Sequence, residues 1–97
     1  MSQSLLQRRL VDVSERLKRM RAELAVTEEQ LAFLEEEAED ARLRALVSET
    51  PLADAEAHEI RRHADAQGRN RDSLRRSIVD LQREQDALLD RMAETLA

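Results

Sequence analysis

Ninety-seven residues with a net charge of −5, one Gly, one Pro, a single aromatic residue (Phe33) and no Cys allow one small domain that buries a modest share of its surface. Ala, Leu, Glu and Arg dominate, charged residues reach 38%, and Ile and Val are too scattered for strands, so the composition is that of long helices and coiled coils and excludes a sheet. The opening MSQSLLQRRL lacks the apolar stretch of a signal peptide, and no run of about 18 apolar residues could span a membrane, so a cytoplasmic location without membrane contact is expected.

The first predicted element runs from about residue 4 to residue 47. Its apolar positions follow spacings of four and three without a break: Leu6, Leu10, Val13, Leu17, Met20, Leu24, Thr27, Leu31, Leu34, Ala38, Ala41 and Ala45. Only Thr27 is polar. A period of 3.5 sustained over more than five heptads keeps one narrow stripe facing a partner helix.

Residues 48–51, Ser48-Glu49-Thr50-Pro51, interrupt the pattern. Thr50 suits the N-cap and Pro51 the first helical position, where the missing N–H costs nothing. Proline also disfavours helical geometry in the residue before it. A second helix is therefore predicted from residue 51 to about 95, with Leu74, Ile78, Leu81, Gln85, Leu88 and Met92 in its C-terminal seam. Two phases remain open in its first half. Ile60, Ala64, Gln67 and Arg71 keep the heptad, whereas Ile60, His63, Gln67 and Asn70 need a four-residue stutter to rejoin it at Leu74. In both, the seam turns polar near Gly68. Polar seam residues (Thr27, Gln67 and Arg71 or Asn70) tend to fix alignment at some cost in stability.

Charge gives the orientation. Residues 1–27 sum to +3, 28–40 to −7, 41–58 to −1, 59–76 to +3 and 77–97 to −3. Folding back at 48–51 pairs positions whose numbers add to roughly 96–100 and sets blocks of opposite sign side by side, whereas a parallel self-pair stacks Glu28, Glu29, Glu35, Glu36, Glu37, Glu39 and Asp40 on their own copies. The antiparallel hairpin predicts Glu35 near Arg61 and Arg16 near Glu84. It also brings Arg21 near Arg75, which opposes it. Single surface pairs contribute little, so the sign of whole blocks decides. Arms of about 45 residues reach roughly 65–70 Å. Toward the turn the stripe is Ala-rich on both arms, removing little apolar area from water, so that half should be the weaker.

Eleven apolar residues fall outside the stripe: Leu5, Val11, Val26, Phe33, Leu43, Leu46, Val47, Leu52, Val79, Leu89 and Leu96. Scattered exposed apolar residues are ordinary. Here, however, Val26 and Phe33 stand seven apart, with Leu5 and Val47 in phase, giving helix 1 a second apolar face. That face would dock another hairpin into a dimeric four-helix bundle, or dock a target. Leu43, Leu46, Val47 and Leu52 cluster at the turn, the best single candidate for a hydrophobic contact.

Chemistry leaves fewer traces. His58, Glu59 and His63 (HEIRRH) look like a zinc-protease motif, but His side chains five apart lie about 140° apart around a helix, so a shared metal is not expected. Arg69, Arg71, Arg75 and Arg76, and the Arg8 to Arg21 segment, could meet phosphates, yet they lack aromatic neighbours and have carboxylates to neutralise them. They read as salt-bridged helix surface, and no nucleic acid is expected. The acidic run LEEEAED at 34–40 reads as a solvated face. No Gly-rich phosphate loop, Ser/His/Asp arrangement or nucleophilic Cys occurs, and paired rods offer no deep pocket. Neither catalytic, metal nor cofactor-binding residues are assigned.

Short segments nonetheless resemble known families. PLADAEAHE leading to GRNRD, within residues 51–72, resembles the tip and returning helix of the coiled-coil finger in DksA/TraR-type factors, which insert an acidic tip into the RNA polymerase secondary channel. That resemblance implies Asp54 and Glu56 as tip acids, with Glu49 beside them. IVDLQREQDALLDRM at 78–92 resembles the first helix of the all-helical chorismate mutases and implies a small bundle enzyme, whose Arg-rich site needs two further helices downstream. Secreted hairpins of similar length carry Trp-x-Gly at the turn; this turn reads SETP.

The expectation is an all-α, antiparallel two-helix hairpin spanning 1–97. It would act as a non-enzymatic scaffold or adaptor through a protein partner and as a homodimer. The faces it presents are Val26 and Phe33 on helix 1 and Leu43, Leu46, Val47 and Leu52 at the turn.

Overall fold

The computed structural model describes residues 2–97, which form two long helices, α1 (Gln3–Ser48) and α2 (Pro51–Leu96). They make an all-α antiparallel hairpin, with no strand among the described residues. Both helices begin and end within a residue of the sequence expectation.

Capping chemistry sets the ends. The Leu5 N–H donates to Ser2 Oγ at 3.2 Å and the Leu6 N–H to the Ser2 carbonyl at 3.0 Å, so Ser2 is the N-cap of α1. At the turn the Glu49 N–H still reaches the Ala45 carbonyl, 3.1 Å away. Glu49 itself adopts φ 52°, the left-handed conformation that ends a helix and usually belongs to Gly or Asn. Thr50 then caps α2: its Oγ1 accepts the Ala53 N–H at 3.2 Å and its carbonyl the Asp54 N–H at 3.1 Å, with Pro51 at the first helical position.

The two helices divide into two packing units. The terminal unit comprises Met1–Leu24 and Leu74–Ala97. Its core is Leu6, Val13, Leu17, Ile78, Leu81 and Leu88, with Leu10, Met20, Leu24 and Met92 packed around it. Leu6 and Leu17 keep only 1% of their surface exposed. Gln85 interrupts this stripe and is compensated across the helix pair, its Nε2 donating to Ser14 Oγ at 3.1 Å. That contact spares a half-buried amide the cost of lost hydration.

The turn unit is Ala25–Ser73. Its buried side chains are Thr27, Leu31, Ala38, Ala41 and Ala64, and Leu34, Ala45, Ala53, Ala57, Ile60, Gln67 and Arg71 are half-buried. Small residues thus line much of its seam, as the sequence implies. The phase left open in α2 is resolved here. Arg71 lies in the seam while His63 and Asn70 are exposed, so the heptad continues without a stutter.

Cross-helix bonds fix the register. Arg61 meets Glu35, Gln67 meets Gln30 and Gln85 meets Ser14, each pair adding to between 96 and 99. This is the fold-back alignment read from the charge blocks.

Candidate partner-binding surface

The helical period divides the surface of the turn unit into rows, and the contacts show which side each occupies. Glu35 and Arg61 flank one side of the seam. Arg61 donates Nη2 to Glu35 Oε1 at 2.7 Å and Nη1 to Oε2 at 3.0 Å, and its Nε reaches Asp65 Oδ1 at 3.1 Å. The guanidinium hydrogen bonds hold the Glu35 carboxyl below the usual carboxylate range. On the other side, Gln67 Nε2 donates to Gln30 Oε1 at 2.7 Å. That bond floors an open groove of ≈ 440 Å³, lined by Glu29, Gln30, Phe33, Leu34 and Gln67.

Phe33 forms one wall of this groove and is 62% exposed; Val26, two helical turns earlier, is 53% exposed. Leu43, Leu46, Val47 and Leu52 at the turn are exposed at 48%, 62%, 86% and 70%. All eleven apolar residues that the heptad leaves outside the seam are exposed, Leu5 least, at 42%. Near the turn they are not scattered singly, because the left-handed step at Glu49 brings the last turn of α1 and the first of α2 together. Glu49, Asp54 and Glu56 are exposed beside them. The tip is therefore mixed, with aliphatic side chains among carboxylates.

No family model, curated protein or solved structure matches this chain.

Among the polar seam residues, Thr27 is buried and Gln67 and Arg71 are half-buried, while Asn70 is exposed and outside the seam. Arg71 keeps 31% of its side-chain surface exposed and its Nε donates to Asp72 Oδ1 at 3.0 Å; a long cationic side chain at a seam edge can cover apolar surface in this way.

Exposed pairs cover much of the rest. Glu39 binds Arg42 through two hydrogen bonds, at 2.7 and 3.0 Å, which lower its carboxyl and raise the guanidinium. Arg62 binds Glu59, and His63 Nε2 stands 3.4 Å from the second Glu59 oxygen. The Glu59 carboxyl is lowered first by Arg62 and then by His63. His58 is exposed, and no group of three or more His, Asp or Glu among the described residues is gathered to hold a metal ion. No helix among them is long and apolar enough to cross a membrane.

In the terminal unit, Arg75, Arg76 and Arg83 border an open groove of ≈ 420 Å³ with Val79 and Asp80. Arg16 and Glu84 share a smaller one with Met20, Ser77, Asp80 and Leu81, but no ion pair joins them, unlike Glu35 and Arg61. Sequence reasoning missed the Gln30 and Gln67 bond and the groove beside it. Their only signal is that two amides fall at facing positions of the fold-back register.

Proposed function

We propose that this chain is a non-enzymatic adaptor, a helical hairpin that holds a protein partner at its turn and associates with itself through α1. The observation that carries this reading is the exposure of Leu43, Leu46, Val47 and Leu52 together at the turn. Outside a functional contact, such a patch raises the risk of aggregation. Its aliphatic side chains supply the apolar centre of a contact, and Glu49, Asp54 and Glu56 supply a polar rim that selects among partners. The seam beneath is independent of these side chains, so the surface can be altered without unfolding the hairpin.

The test is a pull-down read by mass spectrometry, comparing the natural chain with Leu43→Ser/Leu46→Ser. Proteins retained by the first and lost by the second, at equal helicity, support the proposal. Identical capture by both chains removes the turn as the binding surface.

A further inference from the structure

We propose that the protein held at the turn is one whose contact surface is an apolar groove bordered by Lys and Arg, into which Val47 and its neighbours insert. This names the chemistry of the partner in the adaptor reading above and rests on that reading.

Shape assigns the groove to the partner. Leu43, Leu46 and Val47 stand at i, i+3 and i+4 on one side of the last turns of α1, and Leu52 lies in the first turn of α2. Val47 is the most exposed of the large apolar side chains. A side chain that protrudes so far meets few atoms of its own chain, so the concave half of a well-packed contact comes from the other protein.

Charge then selects among grooves. Residues 39–59 carry six carboxylates and two guanidiniums, a net charge of −4. The carboxylates at the two ends of this stretch find cations on the chain itself, Glu39 binding Arg42 and Glu59 binding Arg62. Glu49, Asp54 and Glu56, which lie closest to the exposed aliphatic side chains, make no ion pair among the described residues. Arg44 is the only guanidinium of the stretch left to balance them.

The helix ends act in the same direction. The positive end of α2 is met within the chain, by the Thr50 hydroxyl on the Ala53 N–H and by Asp54 in the first turn. The last turn of α1 holds no basic residue, so its negative end and final carbonyls are left for a cation from outside.

A neutral groove closing over these aliphatic side chains would strip water from three carboxylates and return nothing. Lys or Arg at its border returns charge-assisted hydrogen bonds. A second copy of the same turn, or an anionic lipid surface, would set like charge against like and is disfavoured. The carboxylates thus lie on the contact itself, and their sign specifies a basic partner.

Two amphipathic helical peptides of about 20 residues, one of Leu and Lys and one of Leu and Glu, are the probes. Each is titrated by fluorescence anisotropy into the natural chain, Leu43→Ser/Leu46→Ser and Glu49→Gln/Asp54→Asn/Glu56→Gln, with helicity checked by circular dichroism. The expected result is binding of the Leu/Lys peptide alone, weakened roughly tenfold in each variant and by added salt. Equal binding of that peptide to the natural and neutralised chains, equally tight binding of the Leu/Glu peptide, or no binding of either would overturn the proposal. The pull-down separates the two ideas. Proteins lost with Leu43→Ser/Leu46→Ser but kept in full by the neutralised chain would remove the basic groove and leave the adaptor reading standing, whereas capture independent of Leu43 and Leu46 removes both.

Discussion

Arg61 on α2 grips Glu35 on α1 with two parallel hydrogen bonds, at 2.7 and 3.0 Å, while its Nε holds Asp65 one turn along its own helix. One guanidinium thus ties the two helices at a single register. Both partners are largely exposed, with 44% and 49% of their side-chain surface open, so solvent screening keeps the contribution small. Its role is to disfavour slipped alignments. The Glu35 carboxyl is held below its ordinary range chiefly by the Arg61 hydrogen bonds. A lowered folded value means the contribution is fully present above the unfolded carboxylate range and is lost as pH falls through the folded one. Glu35 should therefore titrate below the ordinary glutamate range in carbon-detected NMR, and Arg61→Ala should return it toward that range. Unchanged titration in Arg61→Ala would show that the pair does not persist in solution.

Packing differs between the units, and mutational cost should follow it. Leu17 is 1% exposed in a core of Leu, Ile and Val; truncating it to Ala should cost about 2–4 kcal/mol. Val47, 86% exposed, should change monomer stability by less than about 0.5 kcal/mol when replaced by Ala. In the turn unit the test runs the other way, because Ala64 has no exposed surface. Enlarging it to Leu should cost about 1–3 kcal/mol by forcing the helices apart. Urea melts of the three variants measure these differences; a harmless Ala64→Leu would mean that the Ala-rich seam is loosely packed.

Gly68 offers a gain. It lies inside α2, and a Cβ built there meets no atom within 4 Å. Ala restricts the unfolded chain and supports the helix better, so Gly68→Ala should stabilise by about 0.5–1 kcal/mol in a thermal melt. Destabilisation would mean that the glycine serves a close approach by something outside the chain.

Much of this fold is legible in the sequence because it depends on one repeated rule. The α1 seam from Leu6 to Ala45 is buried or half-buried at every predicted position, since a heptad sustained over so many turns outweighs the sparser apolar row of Val26 and Phe33. The alignment was legible because whole charge blocks, not individual pairs, set it. The phase through Arg71 was not, because Asn70 and Arg71 are both polar and hydropathy gives no preference between them. What favours Arg71 is its long stem, which can lie along a seam with its head on Asp72, and that emerges only once the helices are packed. The Ser2 cap was readable in principle, since Ser is a preferred N-cap. Arg16 and Glu84 do lie near each other, as the fold-back register requires, bordering one open groove without forming an ion pair.

The turn carries a strain that sequence alone would not locate. Glu49 occupies φ 52°, where its Cβ crowds the following carbonyl at a cost of roughly 1–2 kcal/mol that Gly avoids. Gly loses more freedom on folding, so the net gain for Glu49→Gly should be smaller, about 0.5–1 kcal/mol. Thr50→Ala removes the hydroxyl that accepts the Ala53 N–H and should cost about 1 kcal/mol. Thermal melts at several protein concentrations separate these local effects from any change in assembly. A Glu49→Gly chain less stable than the natural one would argue that the carboxylate contributes at the turn in its own right.

The polar seam gives the last prediction. Thr27, Gln67 and Arg71 interrupt the apolar stripe of the turn unit, and of the half-buried pair, Gln67 gains one bond to Gln30 and Arg71 one to Asp72. Replacing Gln67 and Arg71 together by Leu returns the stripe to uninterrupted apolar contact. Each Leu that becomes mostly buried should add about 1 kcal/mol, offset in part by the bonds lost. The double variant should therefore melt higher than the natural chain. Polar seam residues restrict which alignments and assemblies are favourable, because a shifted register leaves them unsatisfied. The same variant should then populate more oligomeric states in sedimentation velocity than the natural chain. A lower melting temperature would mean that Gln67 and Arg71 stabilise the hairpin directly, and a single unchanged species would mean that alignment is set by the remaining cross-helix contacts, Glu35 with Arg61 and Ser14 with Gln85.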